Sequence, residues 1–219
     1  MNKVIAFLKL IRLGNLMMVM LTQLLIKFVL INPFLDDFAL DNIHYFLFVL
    51  ATFFITASGY IINDIYDVET DKINKENQRV IEKHISAREA INWYFLFNLI
   101  GLVLGVYITY YVDQLFLGII FIFSIFSLWV YSKRLKSAFL VGNLQVALLT
   151  ALSIINIALF DILPEGINRN NGELMIFKII LFYALFAFIV TLIREFIKDI
   201  EDVEGDKRIR AKTLAIKLG

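Results

Sequence analysis

An all-α fold is predicted by this sequence, a polytopic bundle of transmembrane helices, and three observations carry that prediction. Of the 219 residues, 60% are hydrophobic and only 19% charged, with a mean hydropathy of +0.77. Soluble domains hold roughly 45–50% apolar and about 25% charged residues. Six stretches each approach the roughly 20 apolar residues that a membrane span requires. Lys and Arg are segregated onto alternate connections between those stretches, the pattern expected of a membrane protein of fixed orientation.

The first span is predicted from Leu13 to Ile31. Lys3, Lys9 and Arg12 precede it, but it is too long for a signal-peptide core and lacks a small-residue cleavage site. The second runs from Ile43 to Ile62, the third from Trp93 to Tyr111 and the fourth from Leu115 to Tyr131. Only Val112-Asp113-Gln114 separates the third from the fourth, which makes that pair a tight antiparallel hairpin. The fifth runs from Ala138 to Phe160 and the sixth from Leu174 to Ile197. With the N-terminus inside, 18 of the 21 Lys and Arg residues fall on inner segments. The positive-inside rule therefore predicts N-in, C-in. The outer loops at Asp36-Asp37 and from Asp161 to Glu173 carry little positive charge, in keeping with this.

Composition excludes several classes. A net charge of +1 leaves no polybasic footprint, so no nucleic-acid partner is expected. The absence of Cys removes disulfides, Cys-ligated metals and Cys nucleophiles. His44 at an outer helix start and His84 in a polar loop have no catalytic partner in sequence. Trp93 and Tyr94, and likewise Tyr110 and Tyr111, read as interfacial belt residues. Asn98, Gln145 and Asn156 read as interhelical hydrogen-bonding groups.

The chemistry concentrates in two short windows. Ten of the twenty acidic residues lie in Asn63–Asp71 and Glu195–Asp206, about a tenth of the chain. On a helix Asn63, Asp67 and Asp71 share a face, and Asp64 joins Asp67 at i+3. Glu195, Asp199, Asp202 and Asp206 share a face likewise, with Gly205 as the expected helix end. Clustered like charges are unfavourable unless a cation binds, and carboxylates at a membrane boundary are costly and commonly functional. Oxygen ligands without His or Cys suit Mg²⁺, which keeps coordination positions for substrate phosphates. Two facing sets, Asn63, Asp64, Asp67 and Asp71 against Asp199, Asp202 and Asp206, predict two Mg²⁺ gripping a diphosphate, with Asp67, Asp71, Asp199 and Asp202 central to catalysis. Arg79, Lys133, Arg134 and Lys198 are candidate anion-binding groups. Asn143, with Gln145 near the inner side of the fifth span, is within reach of a substrate head group. Each of these has a plainer reading, as a solvated helix end or a positive-inside anchor.

At these residues the chain resembles the UbiA superfamily of intramembrane prenyltransferases. The family's first motif, Asn-Asp-x-x-Asp-x-x-x-Asp, is matched by Asn63, Asp64, Asp67 and Asp71. Its second, Asp-x-x-Asp-x-x-x-Asp, is matched by Asp199, Asp202 and Asp206. Tyr131–Lys136, Ile85-Ser86 and Lys212–Leu214 are similar too. The resemblance implies one prenyltransferase domain over residues 1–219, with Mg²⁺ holding an isoprenoid diphosphate, expected to be geranylgeranyl diphosphate, at the inner face. The second window looks most like the branch that prenylates geranylgeranylglyceryl phosphate. Prenylation of an aromatic quinone precursor is the alternative acceptor chemistry. A bacterial inner membrane, with the site toward the cytoplasm, is the expected location.

Two departures stand out. Glu76 occupies a position where the family usually has Pro, and Glu82 one where it usually has Gly. The family has about nine spans against the six here, so the chain is expected to be a truncated form of a longer protein. A cation transporter and a non-catalytic scaffold or inactive fragment are the competing functions. A transporter would place its acids near the midplane, on broken helices, and here they sit at span ends without Pro.

Overall fold

The computed structural model describes residues 2–74, 79–166, 172–201 and 203. A short helix, α1 (Lys3–Leu10), is followed by α2 (Leu13–Leu25), which runs on into a π-helical turn over Ile26–Ile31. Then come α3 (Asn42–Asn74), α4 (Ala87–Tyr111), α5 (Ile119–Lys133), α6 (Val141–Asp161) and α7 (Glu173–Glu201). A 3₁₀ turn over Leu115–Gly118 leads into α5. Six segments are long and apolar enough to cross a membrane: Leu13–Ile31, Asn42–Glu69, Ala87–Tyr111, Leu115–Lys133, Val141–Glu165 and Glu173–Glu201. Among the described residues there is no strand beyond an isolated bridge between Ile81 and Ile85.

The six predicted spans are all present, and their ends differ for local reasons. The second helix does not stop at Ile62 but runs twelve residues further to Asn74, so the first acidic window is itself helical. The third begins at Ala87, six residues before Trp93. Ser86 accepts a hydrogen bond from the Glu89 N–H, and the Glu89 carboxylate accepts one from the Ser86 N–H, a reciprocal cap that satisfies two orphan donors. The fifth starts at Val141 rather than Ala138, because Leu140 takes a left-handed φ of 59° that interrupts the turn. At Asp113 a φ of 52° reverses the chain between the third and fourth spans. The N-terminus of α3 is capped by Asp41, which accepts from the backbone N–H groups of His44 and Ile43. The His44 hydrogen bond holds the Asp41 carboxyl below its usual range.

Packing divides into two apolar clusters. The larger surrounds Tyr45, Phe48, Phe121 and Phe160, with Phe160 against both Phe48 and Phe121. The smaller gathers Ala6, Leu10 and Ile11 of the N-terminal segment with Val80, Ile81 and Ile85 of the α3–α4 connection. α3 and α4 approach closely at Gly101, where a Cβ would lie 2.6 Å from the Ile55 side chain; close approach through small residues is how helices associate where lipid is as apolar as Leu. Much of the remaining apolar surface, including Phe95, Phe123, Phe182 and Phe186, is exposed, as lipid-facing side chains are.

A buried charge pair closes the end of the bundle remote from the acidic windows. Lys27 donates to Asp161 at 2.7 Å and to the Leu40 carbonyl at 2.8 Å, and the other Asp161 oxygen accepts from the Leu40 N–H. Neither side chain is exposed. The ammonium also lies 3.7 Å from the centre of the Phe38 ring. Leu40 is thereby pinned between the π-helical turn after α2 and the end of α6.

Candidate active site

A cavity of about 370 Å³ lies among α2, α3, α5, α6 and α7. One end is polar, ringed by Arg12, Tyr60, Asn63, Tyr131, Glu195 and Lys198. The body is largely apolar, and the far end is lined by Thr52, Phe121, Ser153 and Asn156. Thr52 and Asn63 are eleven residues apart on α3, so the cavity extends about 16 Å along the bundle.

The continuation of α3 past the cavity mouth carries the first acidic set. Arg12, in a left-handed conformation at the α1–α2 junction, pairs with Asp64 at 3.1 Å and lies over the Tyr60 ring. Asn63 donates to Asp67 at 2.8 Å. Lys136, from the α5–α6 connection, pairs with the same Asp67 carboxylate. Asp71 follows one turn later, half-buried. On the opposite wall the Asn143 amide donates to Asp199 at 2.9 Å. The close turn before α6 makes this possible: a Cβ at Gly142 would stand 2.6 Å from the Leu135 carbonyl oxygen, so only Gly lets the chain pass there. Asp67 and Asp199, one from each acidic window, therefore sit at the same end of the bundle, beside the cavity mouth.

The structure distributes the sequence candidates unevenly. Asn63 and Lys198 line the cavity, and Asp64, Asp67 and Asn143 hold the contacts just given. Asp202 and Asp206 lie outside the described residues, as do Glu76 and Gly205. Lys133 is exposed, its ammonium over the Trp129 ring at 4.7 Å, and Arg134 is also exposed; neither lines the cavity. Arg79 likewise is not a lining residue. It lies 3.5 Å from Glu82, and its Nε is buried without a hydrogen-bond partner among the described residues. Glu82 has a φ of 66°, the region that favours glycine, at the position where glycine is the family's usual residue. Glu69 and Glu82 both bond Lys72, which raises the Lys72 ammonium above its usual range.

Arg12, Lys136 and Glu195 are the functional candidates that the sequence did not single out. In the sequence Arg12 reads as one of the basic residues before the first span and Lys136 as the end of the Tyr131–Lys136 stretch, while Glu195 shares the acidic face of the second window but falls outside its motif. Asn98 and Gln145 bridge helices as expected: Asn98 accepts from Ser58 and Gln145 donates to the Ser127 carbonyl. Asn156 makes no such bridge among the described residues, and its Oδ1 is buried there without a partner at the far end of the cavity.

Among the described residues no three His, Cys, Asp or Glu gather into a chelating group. The candidate donors beside the mouth, Asn63, Asp64, Asp67 and Asp199, offer oxygen only. That chemistry fits Mg²⁺, which is content with one or two carboxylates and completes its shell with water and phosphate.

Residues 28–219 match the model of the UbiA prenyltransferase family. The chain belongs to this family. It is 40% identical over 165 residues to the digeranylgeranylglyceryl phosphate synthase of Sulfurisphaera tokodaii, covering 75% of this chain and 54% of that protein. It is 34% identical over 213 residues to the enzyme of the same name from Methanobrevibacter smithii, covering 97% of this chain and 69% of that one. A solved structure of digeranylgeranylglyceryl phosphate synthase in membranes superposes with a TM-score of 0.70 at 28% identity, over 99% of this chain and 70% of that one. The chain thus spans little more than half of the first of these relatives. Family membership and the six apolar helices make it an integral membrane protein.

Proposed function

We propose that this family member transfers a prenyl group from an isoprenoid diphosphate, geranylgeranyl diphosphate, to geranylgeranylglyceryl phosphate, releasing diphosphate. The observation that carries the reading is the cavity: an apolar pocket whose polar mouth adjoins carboxylates from both acidic windows. The names of the relatives supply the acceptor.

In this reading the prenyl tail lies in the apolar body and the diphosphate at the mouth. Arg12, Lys136 and Lys198 contribute positive charge to its oxygens through charge-assisted hydrogen bonds. Asn63, Asp64, Asp67, Asp71 and Asp199 would hold Mg²⁺, joined from the sequence by Asp202 and Asp206. Bound there, the metal supplies Lewis-acid stabilisation of the departing diphosphate. Tyr60 and Tyr131 line the mouth, and aromatic rings there would attract an allylic cation, while the apolar wall keeps water from it. Arg79, Lys133 and Arg134 serve as inner-face charges rather than cavity groups.

The positive-inside distribution supports a mouth that faces the cytoplasm. The relatives named above are archaeal, so they lend no support to a specifically bacterial membrane. The deciding experiment incubates membranes carrying the protein with geranylgeranyl diphosphate, Mg²⁺ and a panel of acceptors, and identifies the lipid product by mass spectrometry. A digeranylgeranylglyceryl phosphate product is expected. Prenylation of an aromatic acceptor instead would reassign the acceptor, and no metal-dependent release of diphosphate would end the transferase reading.

A further inference from the structure

Within the cavity wall one acidic group stands apart from the two motifs. Among the described lining residues Glu195 is the only carboxylate. It is 6% exposed, and its ion-pair partners among the described residues are distant, Arg194 at 3.5 Å and Lys198 at 3.8 Å. The motif acids have nearer groups: Arg12 on Asp64, Lys136 on Asp67 and Asn143 on Asp199. A buried carboxylate held only by long contacts is costly, and such groups facing a cavity within a membrane protein are commonly functional.

Position along α7 says what this one faces. Thr191, Glu195 and Lys198 line the cavity at i, i+4 and i+7, and Asp199 continues the stripe. Glu195 therefore lies one turn, about 6 Å, deeper into the membrane than Asp199. A diphosphate held at the level of Asp199 and Asp67 leaves its bond to the first prenyl carbon about one turn further in. Along α7 that is the level of Glu195, where the acceptor hydroxyl would have to arrive.

We propose that Glu195 is the catalytic base for the acceptor, an assignment that rests on the transferase reading above. The bond between the prenyl carbon and the diphosphate oxygen breaks, and its electron pair leaves with the diphosphate. The acceptor hydroxyl oxygen forms the new bond to that carbon, and its proton passes to a Glu195 oxygen. No redox partner is needed, and the proton is later lost to water at the mouth. Arg194 and Lys198 supply countercharge to the carboxylate before transfer. The motif acids serve the leaving group, and Glu195 serves the nucleophile.

The two roles separate in one assay that follows both prenyl transfer and total diphosphate release, including release to water. Glu195→Gln keeps the shape and removes the base. Transfer is expected to fall about a hundredfold or more, while metal-dependent release to water persists within about threefold. Glu195→Asp, which restores a carboxylate on a shorter stem, is expected to recover part of the transfer. Retention of transfer in Glu195→Gln overturns the assignment and leaves the departing diphosphate as the base. Parallel loss of transfer and release in both variants also overturns it, because the carboxylate then serves the fold or the donor site. Absence of release from the unsubstituted protein removes the transferase reading itself, and this inference with it.

Discussion

Lys27 and Asp161 meet at 2.7 Å with neither side chain exposed, joining the π-helical turn after α2 to the end of α6, opposite the acidic windows. Removing one member leaves the other charge buried without its partner, a cost of about 3–5 kcal/mol, whereas removing both is far less damaging. Lys27→Met is therefore expected to be less stable than the double variant Lys27→Met/Asp161→Asn. Unfolding midpoints in detergent measure the difference. A double variant as unstable as or less stable than the single one would mean that the pair itself holds the two helices together.

Asp67 and Asp199 belong to different windows and approach the same mouth. Each is assigned to metal and leaving-group stabilisation, worth several kcal/mol. Asp67→Ala and Asp199→Ala are each expected to lower prenyl transfer about a hundredfold or more. Glu69, 82% exposed and off that face, is the control, and Glu69→Gln is expected to stay near the unsubstituted rate. Equal activity in all three variants would remove the two-sided site. Membrane insertion is checked in parallel by extraction with alkaline carbonate.

The spans were legible in the sequence because length and hydropathy alone define them. The first acidic set was legible because its helical spacing survives as helix: α3 continues unbroken through Asp64, Asp67 and Asp71. Contacts between distant segments were not legible. Nothing local ties Lys136 to Asp67, sixty-nine residues away, or Arg12 to Asp64. Lys27 and Asp161 carried a faint signal, a lone Lys inside an apolar span and a lone Asp at the end of another. Lys133 is the reverse case: a basic residue in the right loop whose ammonium lies over the Trp129 ring. In that loop, position along the turn decides which base reaches the acids.

Orientation is testable with introduced thiols, since the chain has no Cys of its own. Lys72, exposed at the end of α3, and Asp113, exposed in the turn after α4, lie at opposite ends of the bundle. An impermeant thiol reagent is expected to label Lys72→Cys only from the cytoplasmic side and Asp113→Cys only from the other. Lys207→Cys, beyond the second acidic window, is expected to behave as Lys72→Cys does. Labelling of Lys72→Cys and Lys207→Cys from opposite sides would put the two windows across the bilayer, where no single diphosphate reaches both.

Glu82 offers a sharper test of the connection between α3 and α4. Its φ of 66° places an L-residue where the Cβ crowds its own backbone, at a cost of about 1–2 kcal/mol that glycine avoids. Its carboxylate contacts Lys72 at 3.2 Å and Arg79 at 3.5 Å, but surface pairs of this kind add little once screened by water. Glu82→Gly and Glu82→Ala both delete the carboxylate, so the difference between them isolates the backbone. The Gly variant is expected to be more stable than the Ala variant by about 1 kcal/mol, less a few tenths for the freedom glycine gains in the unfolded chain. Thermal unfolding in detergent reads this directly. An Ala variant equal to or above the Gly variant would show that the turn relaxes out of the left-handed region once the ion pairs are gone. The contacts to Lys72 and Arg79, and not the turn itself, would then set the shape of this connection.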